Sequence, residues 1–138
     1  MRILLINGPN LNTLGQRQPQ IYGDLTLQEI EARVAERGTA LRVEVKPFQS
    51  NHEGAMIDFI QEEAAQADGI IINPGALTHY GLSLRDAIAA SGLPAIEVHI
   101  SNIYGREWFR RRSVTSDVCR GLVAGLGWGV QALDLGQG

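Results

Sequence analysis

Short apolar runs alternate along the chain with longer segments in which apolar residues recur at helical spacing. The first run, residues 3–6, leads into an Asn-Gly-Pro sequence at residues 7–9. Glycine admits backbone angles closed to other residues and proline lacks an N–H, so this pattern predicts a buried strand that ends in a tight turn. Residues 69–72 are also apolar and lead into Asn-Pro-Gly at residues 73–75, which predicts a second strand of the same kind.

Two further runs complete the predicted strands. Residues 41–45 alternate and contain β-branched side chains, and Lys46 with Pro47 ends them. Because proline cannot donate to a central ladder, we expect this strand near an edge of the sheet. Residues 95–100 form the last predicted strand.

The segments between the strands carry helix signals. Thr26 with Glu29 forms a capping-box pattern, and Ser50 with Glu53 repeats it. Apolar residues follow each pair at helical spacing. The predicted helices run from Thr26 to Gly38, from Ser50 to about Ala67, from about Gly81 to Ser91 and, weakened by four glycines, from Asp117 to about Leu135.

This alternation predicts an α/β fold, a flavodoxin-like parallel sheet of about five strands with helices on both faces. The length of 138 residues suits one domain, residues 1–138, and a hydrophobic content of 44% suffices for one core. The net charge of −3 and the lack of a long apolar run predict neither a nucleic-acid nor a membrane partner. The single cysteine, Cys119, excludes an internal disulfide, so we expect a soluble, cytoplasmic protein.

Polar residues gather where three of the predicted strands end. In open parallel sheets, ligands bind beyond the carboxyl ends of the strands, which share one edge. We therefore expect three chain segments to form one site. Its members are Asn10, Arg17 and Tyr22 after the first strand, Asn73 and His79 after the third, and His99 and Ser101 at the end of the fourth.

The sequence offers no sign of a cofactor. The loop after the first strand contains neither of the common glycine-rich nucleotide motifs and no Ser/Thr-rich phosphate loop for a flavin. The histidines, His52, His79 and His99, lie on separate segments without a cysteine beside them. We expect no metal and no cofactor, and a site of Asn, Tyr, Arg and His suits proton transfer on an anionic organic molecule.

Tyr22 is a candidate base. A phenol with a pKa of about 10 acts as a base at neutral pH only if its anion is stabilised, and lowering that pKa to about 7 requires about 4 kcal/mol. Arg17 lies close enough in sequence to supply this stabilisation. The alternative is that Tyr22 packs at a helix entry and that Arg17 is solvated.

Glu97 and His99 form a candidate acid pair. Residues two apart on a strand share one face, so Glu97 can accept a hydrogen bond from the imidazole and hold it in the orientation of a general acid. The alternative is a core histidine with a neighbouring carboxylate.

Two further groups are candidates for binding. His79 precedes a predicted helix, where it could address hydroxyl groups or cap the helix. Arginines interleave with Trp108 and Phe109, and in a net acidic chain we expect one of them, Arg110 or Arg106, to bind an anion.

These residues recur in an ordered set of motifs that resembles the type II 3-dehydroquinate dehydratases over nearly the whole chain. The motifs are Asn7-Gly-Pro-Asn-Leu-Asn, Leu14-Gly-x-Arg17-x-Pro19, Ile21-Tyr22-Gly23, Asn73-Pro-Gly-Ala-Leu-Thr-His79, Glu97-Val-His-Ile-Ser-Asn102 and Arg106-Glu-x-Phe-Arg110. Two departures are Gln18, where an acidic residue is common, and Tyr104-Gly105, where His-Ala is common.

The resemblance implies a shikimate-pathway lyase that removes water from 3-dehydroquinate by anti elimination through an enolate, giving 3-dehydroshikimate. It implies no cofactor and a homododecamer built as four trimers. The implied catalytic roles are Tyr22 as proton acceptor, Arg17 as its stabiliser, Asn10 as holder of a water at the enolate oxygen and His99 as proton donor. The residues implied to bind substrate are Asn73, His79, Ile100, Ser101 and Arg110, and Asp86 is implied to reach a neighbouring subunit's site. Glu97 and Arg106 have supporting roles.

Two other classes of function remain open on the sequence. One is a binding protein on the same fold without catalysis, which the presence of Arg17, Tyr22 and His99 disfavours. The other is a flavin or nucleotide binder, which would purify with its ligand.

Overall fold

The computed structural model describes residues 1–16, 25–100 and 112–125. Within these ranges the strands are β1 (Arg2–Asn7), β2 (Glu44–Gln49), β3 (Gly69–Asn73), β4 (Ala95–His99) and β5 (Gly121–Ala124), and the α-helices are α1 (Leu27–Ala40), α2 (Glu53–Glu63) and α3 (Leu82–Ser91). The five described strands form one sheet in the order β2-β1-β3-β4-β5, and every neighbouring pair is parallel. This is the flavodoxin-like order that the sequence predicts.

Two apolar cores lie on opposite faces of the sheet. Successive side chains of a strand point to opposite faces, so Leu5 packs with α1 on one face while Leu4 packs with α2 and α3 on the other. Both leucines are fully buried, as is Ile30 of α1 to within 1% of its surface. Each such side chain contributes about 1.5–3 kcal/mol to folding. The prediction of helices on both faces is confirmed.

The second strand was placed wrongly by the sequence pattern. β2 runs from Glu44 to Gln49, through Lys46 and Pro47, instead of ending there. Its only described neighbour is β1, with Pro47 opposite Leu5. An edge strand can accommodate a proline because a missing N–H on its outer side removes no ladder bond. The predicted edge position is therefore confirmed, although the predicted end is not.

The two capping-box patterns have different outcomes. The Thr26 hydroxyl accepts a hydrogen bond from the Glu29 N–H, as predicted. At the second pattern the N-cap of α2 is His52, and the Ser50 hydroxyl accepts from the His52 N–H in the turn before the helix. Glu53 is engaged elsewhere, since its carboxylate accepts from the Leu84 N–H at the start of α3. The second capping box was therefore a wrong prediction.

Helix lengths also differ from the sequence pattern. α1 continues past Gly38 to Ala40, and a Cβ at Gly38 would lie 2.7 Å from the Val43 carbonyl oxygen. This glycine permits a close helix–strand contact and does not end the helix. α2 ends at Glu63, and a 3₁₀ turn at Ala64–Gln66 follows it. The third helix lies where it was predicted, with Gly81 as its N-cap.

The predicted last helix is wrong within the described part of the chain. A 3₁₀ turn at Ser116–Val118 leads into β5, which pairs with β4 from Gly121 opposite Ile96 to Ala124 opposite His99. Short apolar runs cannot be assigned to helix or strand by periodicity alone, and pairing with β4 decides the outcome. The rest of that prediction, residues 126–138, lies outside the described residues. No helix within the described ranges is long and apolar enough to cross a membrane.

Candidate active site

The ends of β1 and β3 meet at one edge of the sheet. Asn7 is paired with Asn73, and the Gly8 N–H donates to the Asn73 carbonyl oxygen over 2.8 Å. A Cβ at Gly8 would lie 2.5 Å from the Pro74 carbonyl oxygen, so only glycine allows this approach. The loop that carries Asn10 is thereby held against the turn that follows Asn73.

Asn10 is positioned through its backbone. It adopts a left-handed conformation with φ 70°, and its N–H donates to the Asn51 side-chain oxygen over 2.9 Å. Gln49, the last residue of β2, donates from its side-chain amide to the Gly8 carbonyl and to Asn51, each over 3.2 Å. This anchoring bond uses the backbone N–H of Asn10 and not its side-chain amide. The residue is exposed.

Gln49 and Asn51 are residues of this edge that the sequence reasoning missed. The signal was present, because β2 is a fourth strand whose carboxyl end lies at the same edge. The prediction that β2 ends at Pro47 concealed it, since Gln49 was then placed in a loop.

The side chain of Asn73 is oriented by its own turn. Its oxygen accepts from the Gly75 N–H over 3.1 Å, and Gly75 has a φ of +61° that favours glycine. Asn73 is only 3% exposed. The turn therefore fixes the amide plane of a nearly buried side chain at the end of β3.

His99 and Glu97 form the buried pair that the sequence predicts. His99 Nε2 lies 2.9 Å from Glu97 Oε2, and the two residues are 4% and 0% exposed. A carboxylate can only accept, so Nε2 carries the hydrogen of this bond and Nδ1 is the other nitrogen of the ring. Glu97 thus fixes the tautomer and the plane of an imidazole at the carboxyl end of β4.

Three hydroxyl groups surround the same carboxylate. Burial alone raises the pKa of Glu97, but hydrogen bonds from His99, Thr115 and Thr78 outweigh it and hold the pKa below its ordinary value. Ser113 also donates to Oε2, over 2.9 Å. Glu97 is therefore a stable anion in the protein interior, as its bond to His99 requires.

His79 joins the β3 loop to the segment that follows residue 111. Its Nδ1 atom lies 2.7 Å from the carbonyl oxygen of Arg112, and the Val114 N–H donates to the Thr78 carbonyl over 2.6 Å. A carbonyl only accepts, so Nδ1 donates and Nε2 remains the other ring nitrogen. The N-cap of α3 is Gly81, so the alternative of His79 as the helix cap is wrong.

Of the remaining predicted site residues, two lie within the described ranges and the others lie outside them. Ile100 follows β4 and is 5% exposed, whereas Asp86 is exposed on α3. No hydrogen bond or ion pair between either residue and a histidine is present among the described residues. Arg17, Tyr22, Ser101, Arg106 and Arg110 lie outside the described residues, as do Gln18, Tyr104 and Gly105.

The surroundings of two nucleophilic side chains, Cys119 and Lys46, indicate structural and not catalytic roles. Burial and the charge of Glu97 raise the pKa of Cys119 to about 12, so its thiol stays protonated. The Lys46 ammonium lies 2.6 Å from Glu63, which also pairs with Arg2 at the first residue of β1. That contact lies toward the amino ends of the strands, at the opposite edge from His99. Among the described residues, no group of three His, Cys, Asp or Glu is arranged to hold a metal ion.

Comparison with known proteins gives a consistent result. The family model for class II dehydroquinases matches residues 1–135. A 3-dehydroquinate dehydratase of Roseiflexus castenholzii is 61% identical over 128 residues, which cover 93% of this chain and 82% of that protein. A 3-dehydroquinate dehydratase of Herpetosiphon aurantiacus is 51% identical over 128 residues, covering 93% of this chain and 89% of that one.

A solved structure agrees over the full fold. The crystal structure of a type II dehydroquinase from Butyrivibrio crossotus superposes with a TM-score of 0.95 at 47% identity, covering 100% of this chain and 98% of that one. The match spans the strand ends that carry Asn10, Asn73 and His99. The chain belongs to the class II dehydroquinase family.

Proposed function

We propose that this chain is a hydro-lyase that removes water from 3-dehydroquinate to give 3-dehydroshikimate in the shikimate pathway, toward chorismate and the aromatic amino acids. The observation that carries the proposal is the buried Glu97–His99 pair at the sheet edge that also bears Asn10 and Asn73. Family membership supplies the substrate and the reaction. The elimination is anti, proceeds through an enolate and uses no cofactor.

The acid half of the reaction belongs to His99. Departure of the hydroxyl as water requires a proton donor fixed in orientation beside the leaving group. The bond from Nε2 to Glu97 fixes the ring over 2.9 Å and leaves Nδ1 to deliver the proton. When Nδ1 donates, the hydrogen on Nε2 stays in the bond to Glu97 and keeps the ring in place.

The base half belongs to Tyr22, with Arg17 stabilising the tyrosinate. A guanidinium in a water-poor site can supply the few kcal/mol that the deprotonated phenol needs at neutral pH. The described residues that flank this stretch are both anchored, since Leu14 lies in the α1 core and Leu25 packs against the same core. Asn10, anchored through its backbone, then holds a water against the enolate oxygen.

Substrate binding falls to residues around the same edge. Asn73, His79, the Ile100–Ser101 backbone and Arg110 bind the hydroxyl groups and the carboxylate of the substrate, and Arg106 supports them. A buried amide fixed by its turn and an imidazole fixed by the Arg112 carbonyl are suited to hydroxyl recognition, because their donors and acceptors are already oriented.

The assembly we propose is a cytoplasmic homododecamer built as four trimers, with residues 1–138 as one catalytic domain. Asp86 is exposed on α3, and in this assembly it reaches the site of a neighbouring subunit. Sedimentation of the native protein tests the assembly, and Asp86→Ala should weaken association or substrate binding without harming the fold of one subunit. An active monomer of about 15 kDa would contradict it.

The decisive experiment adds 3-dehydroquinate to the purified protein and follows the ultraviolet absorbance of the conjugated enone acid. We expect the absorbance to rise with the wild type and to stay near background with His99→Ala. Exposed His52 provides the matched control, and His52→Ala should behave as the wild type. Binding of 3-dehydroquinate without any rise in absorbance would instead indicate a binding protein without catalysis.

A further inference from the structure

The hydroxyl groups around Glu97 are distributed unequally between its two oxygens. Oε2 lies 2.9 Å from His99 Nε2, 2.8 Å from Thr78 Oγ1 and 2.9 Å from Ser113 Oγ. Oε1 accepts a hydrogen bond from Thr115 Oγ1. Thr115 is therefore the described hydroxyl that holds the oxygen turned away from His99.

The hydroxyl groups around Glu97 differ in whether another hydroxyl can replace them as donors. Thr78 and Ser113 are also within 2.6 Å of each other, and the Ser113 hydroxyl accepts from the Ser116 N–H over 3.0 Å. Each hydroxyl has one hydrogen to donate, so Thr78 and Ser113 can exchange roles around Oε2 when one of them changes. Thr115 Oγ1 also lies 3.3 Å from Thr78 Oγ1 and 3.4 Å from Ser113 Oγ, but among the described hydroxyls Thr115 alone donates to Oε1.

Rotation of the Glu97 carboxylate would move the oxygen that His99 contacts. The torsion that turns a terminal carboxylate is soft and is fixed mainly by its hydrogen bonds. Thr115 and Glu97 are both 0% exposed, so bulk water does not reach the carboxylate in the folded protein. A carboxylate held at both oxygens keeps Oε2 in line with Nε2.

We propose that Thr115 is a positioning residue for the dehydration, which acts through Glu97 to hold His99 in the Nε2–H tautomer. This inference rests on the proposed function for its effect on turnover, but its effect on His99 does not. Thr78 and Ser113 hold Oε2 in the same way, and either one remains as a donor if the other is replaced. The segment after residue 111 thus supports the acid through the Glu97 carboxylate.

Other charged groups of the described chain do not account for this coupling. Cys119, which packs beside the cluster, keeps its proton. Arg85 donates to the Val114 carbonyl and pairs with Asp117, so its guanidinium stabilises the backbone of the segment and not the carboxylate. His79 contacts the Arg112 carbonyl.

The test compares Thr115→Val with Thr115→Ser in the full-length protein. Valine keeps the shape and loses the hydroxyl, whereas serine keeps the hydroxyl. With ¹⁵N-labelled histidine, we expect the ring-nitrogen shifts of His99 in Thr115→Val to show a smaller fraction of the Nε2–H tautomer, with kcat about tenfold lower and KM near the wild-type value. Thr115→Ser should restore both readings.

Two comparisons make the test specific. Ser113→Ala should have a smaller effect than Thr115→Val, because Thr78 remains at Oε2. Thr39→Val removes a hydroxyl that donates to the Ala35 carbonyl at the exposed end of α1 and should change neither reading. If Thr115→Val does not fold, Thr115→Cys carries the same test with a weaker donor.

Unchanged His99 shifts and unchanged kcat in a folded Thr115→Val protein would overturn the inference, even if the protein became less stable. An equal effect of Ser113→Ala would also overturn it, since Oε1 would then not be the oxygen that matters. A wild type that fails to dehydrate 3-dehydroquinate, while Thr115→Val still shifts the His99 tautomer, would overturn the proposed function and support the coupling.

Discussion

The Nδ1 atom of His79 lies 2.7 Å from the carbonyl oxygen of Arg112 and so joins the loop after β3 to the segment that bears Ser113 and Thr115. Replacing His79 with alanine removes both this bond and a proposed substrate contact. We expect KM to rise about tenfold and the free energy of unfolding to fall by about 1 kcal/mol. Steady-state kinetics and thermal unfolding measure the two effects. His52→Ala, at an exposed position, is the control, and a wild-type KM in His79→Ala would remove His79 from substrate binding.

Tyr22→Phe should retain the fold and the KM but lose most of the turnover. Loss of a positioned general base typically lowers kcat by about 10²–10⁴-fold, because the phenol oxygen removes a proton and the ring packs as before. The matched control is Tyr80→Phe, since Tyr80 is 63% exposed and has no assigned role. Near-normal turnover in Tyr22→Phe would exclude Tyr22 as the base.

Arg17→Ala should lower kcat and also move the basic requirement of the pH–rate profile upward. Without its counter-charge the tyrosinate forms only at higher pH. The profile of kcat against pH measures this, and Arg37→Ala at the exposed end of α1 is the control. A large loss of kcat with an unshifted profile would show that Arg17 binds substrate instead of tuning Tyr22.

Lys46→Met should retain activity, and borohydride added during turnover should neither inactivate the enzyme nor add substrate mass. An imine mechanism needs a neutral lysine at the ketone, whereas Lys46 is the only lysine of the chain and pairs with Glu63 over 2.6 Å. Mass spectrometry after borohydride treatment checks the second part. Reductive trapping of substrate on Lys46 would contradict the proposal that the enzyme forms no imine. A modest loss of thermal stability is expected from the broken ion pair.

Glu97→Gln should change how stability depends on pH. The pKa of Glu97 is lowered in the folded protein, so its ionisation stabilises the fold above the unfolded value of about 4.5, and this stabilisation fades as the pH falls through the lowered value. Glutamine cannot ionise and points N–H groups at the surrounding donors. We expect a loss of about 1–3 kcal/mol at pH 7 that shrinks toward pH 3. Urea unfolding at several pH values measures it, with exposed Glu62→Gln as the control; a constant difference would argue against an ionised Glu97.

The sequence was most informative where local chemistry and burial agree. The apolar run of β3 and its turn at Asn73 were predicted correctly because β-branched residues fill the run and Asn-Pro-Gly ends it, which favours a short buried strand. The Glu97–His99 pair followed from the two-residue period of a strand. These features need only neighbours in sequence, so the chain displays them without the fold.

Features that depend on distant partners were missed. Gly38 resembles a helix stop until Val43 is seen against it, and residues 121–124 resemble part of a helix until β4 is seen beside them. Thr115 gave no signal at all, because its role requires Glu97, which is 18 positions away. Periodicity describes one element at a time, whereas these residues are defined by contacts between elements.

The hydrogen bond from Gly8 to Asn73 joins two residues that the ribosome makes at different times. At roughly 5–20 residues per second, β3 leaves the ribosome several seconds after β1, so the loop that carries Asn10 has no partner turn during that time. The donor to Glu97 Oε1 emerges later still, with Thr115. A nascent chain arrested before that residue has made β1, β2, β3 and β4 but lacks the support of its acid. A supported Glu97–His99 pair therefore requires synthesis of the chain at least as far as Thr115.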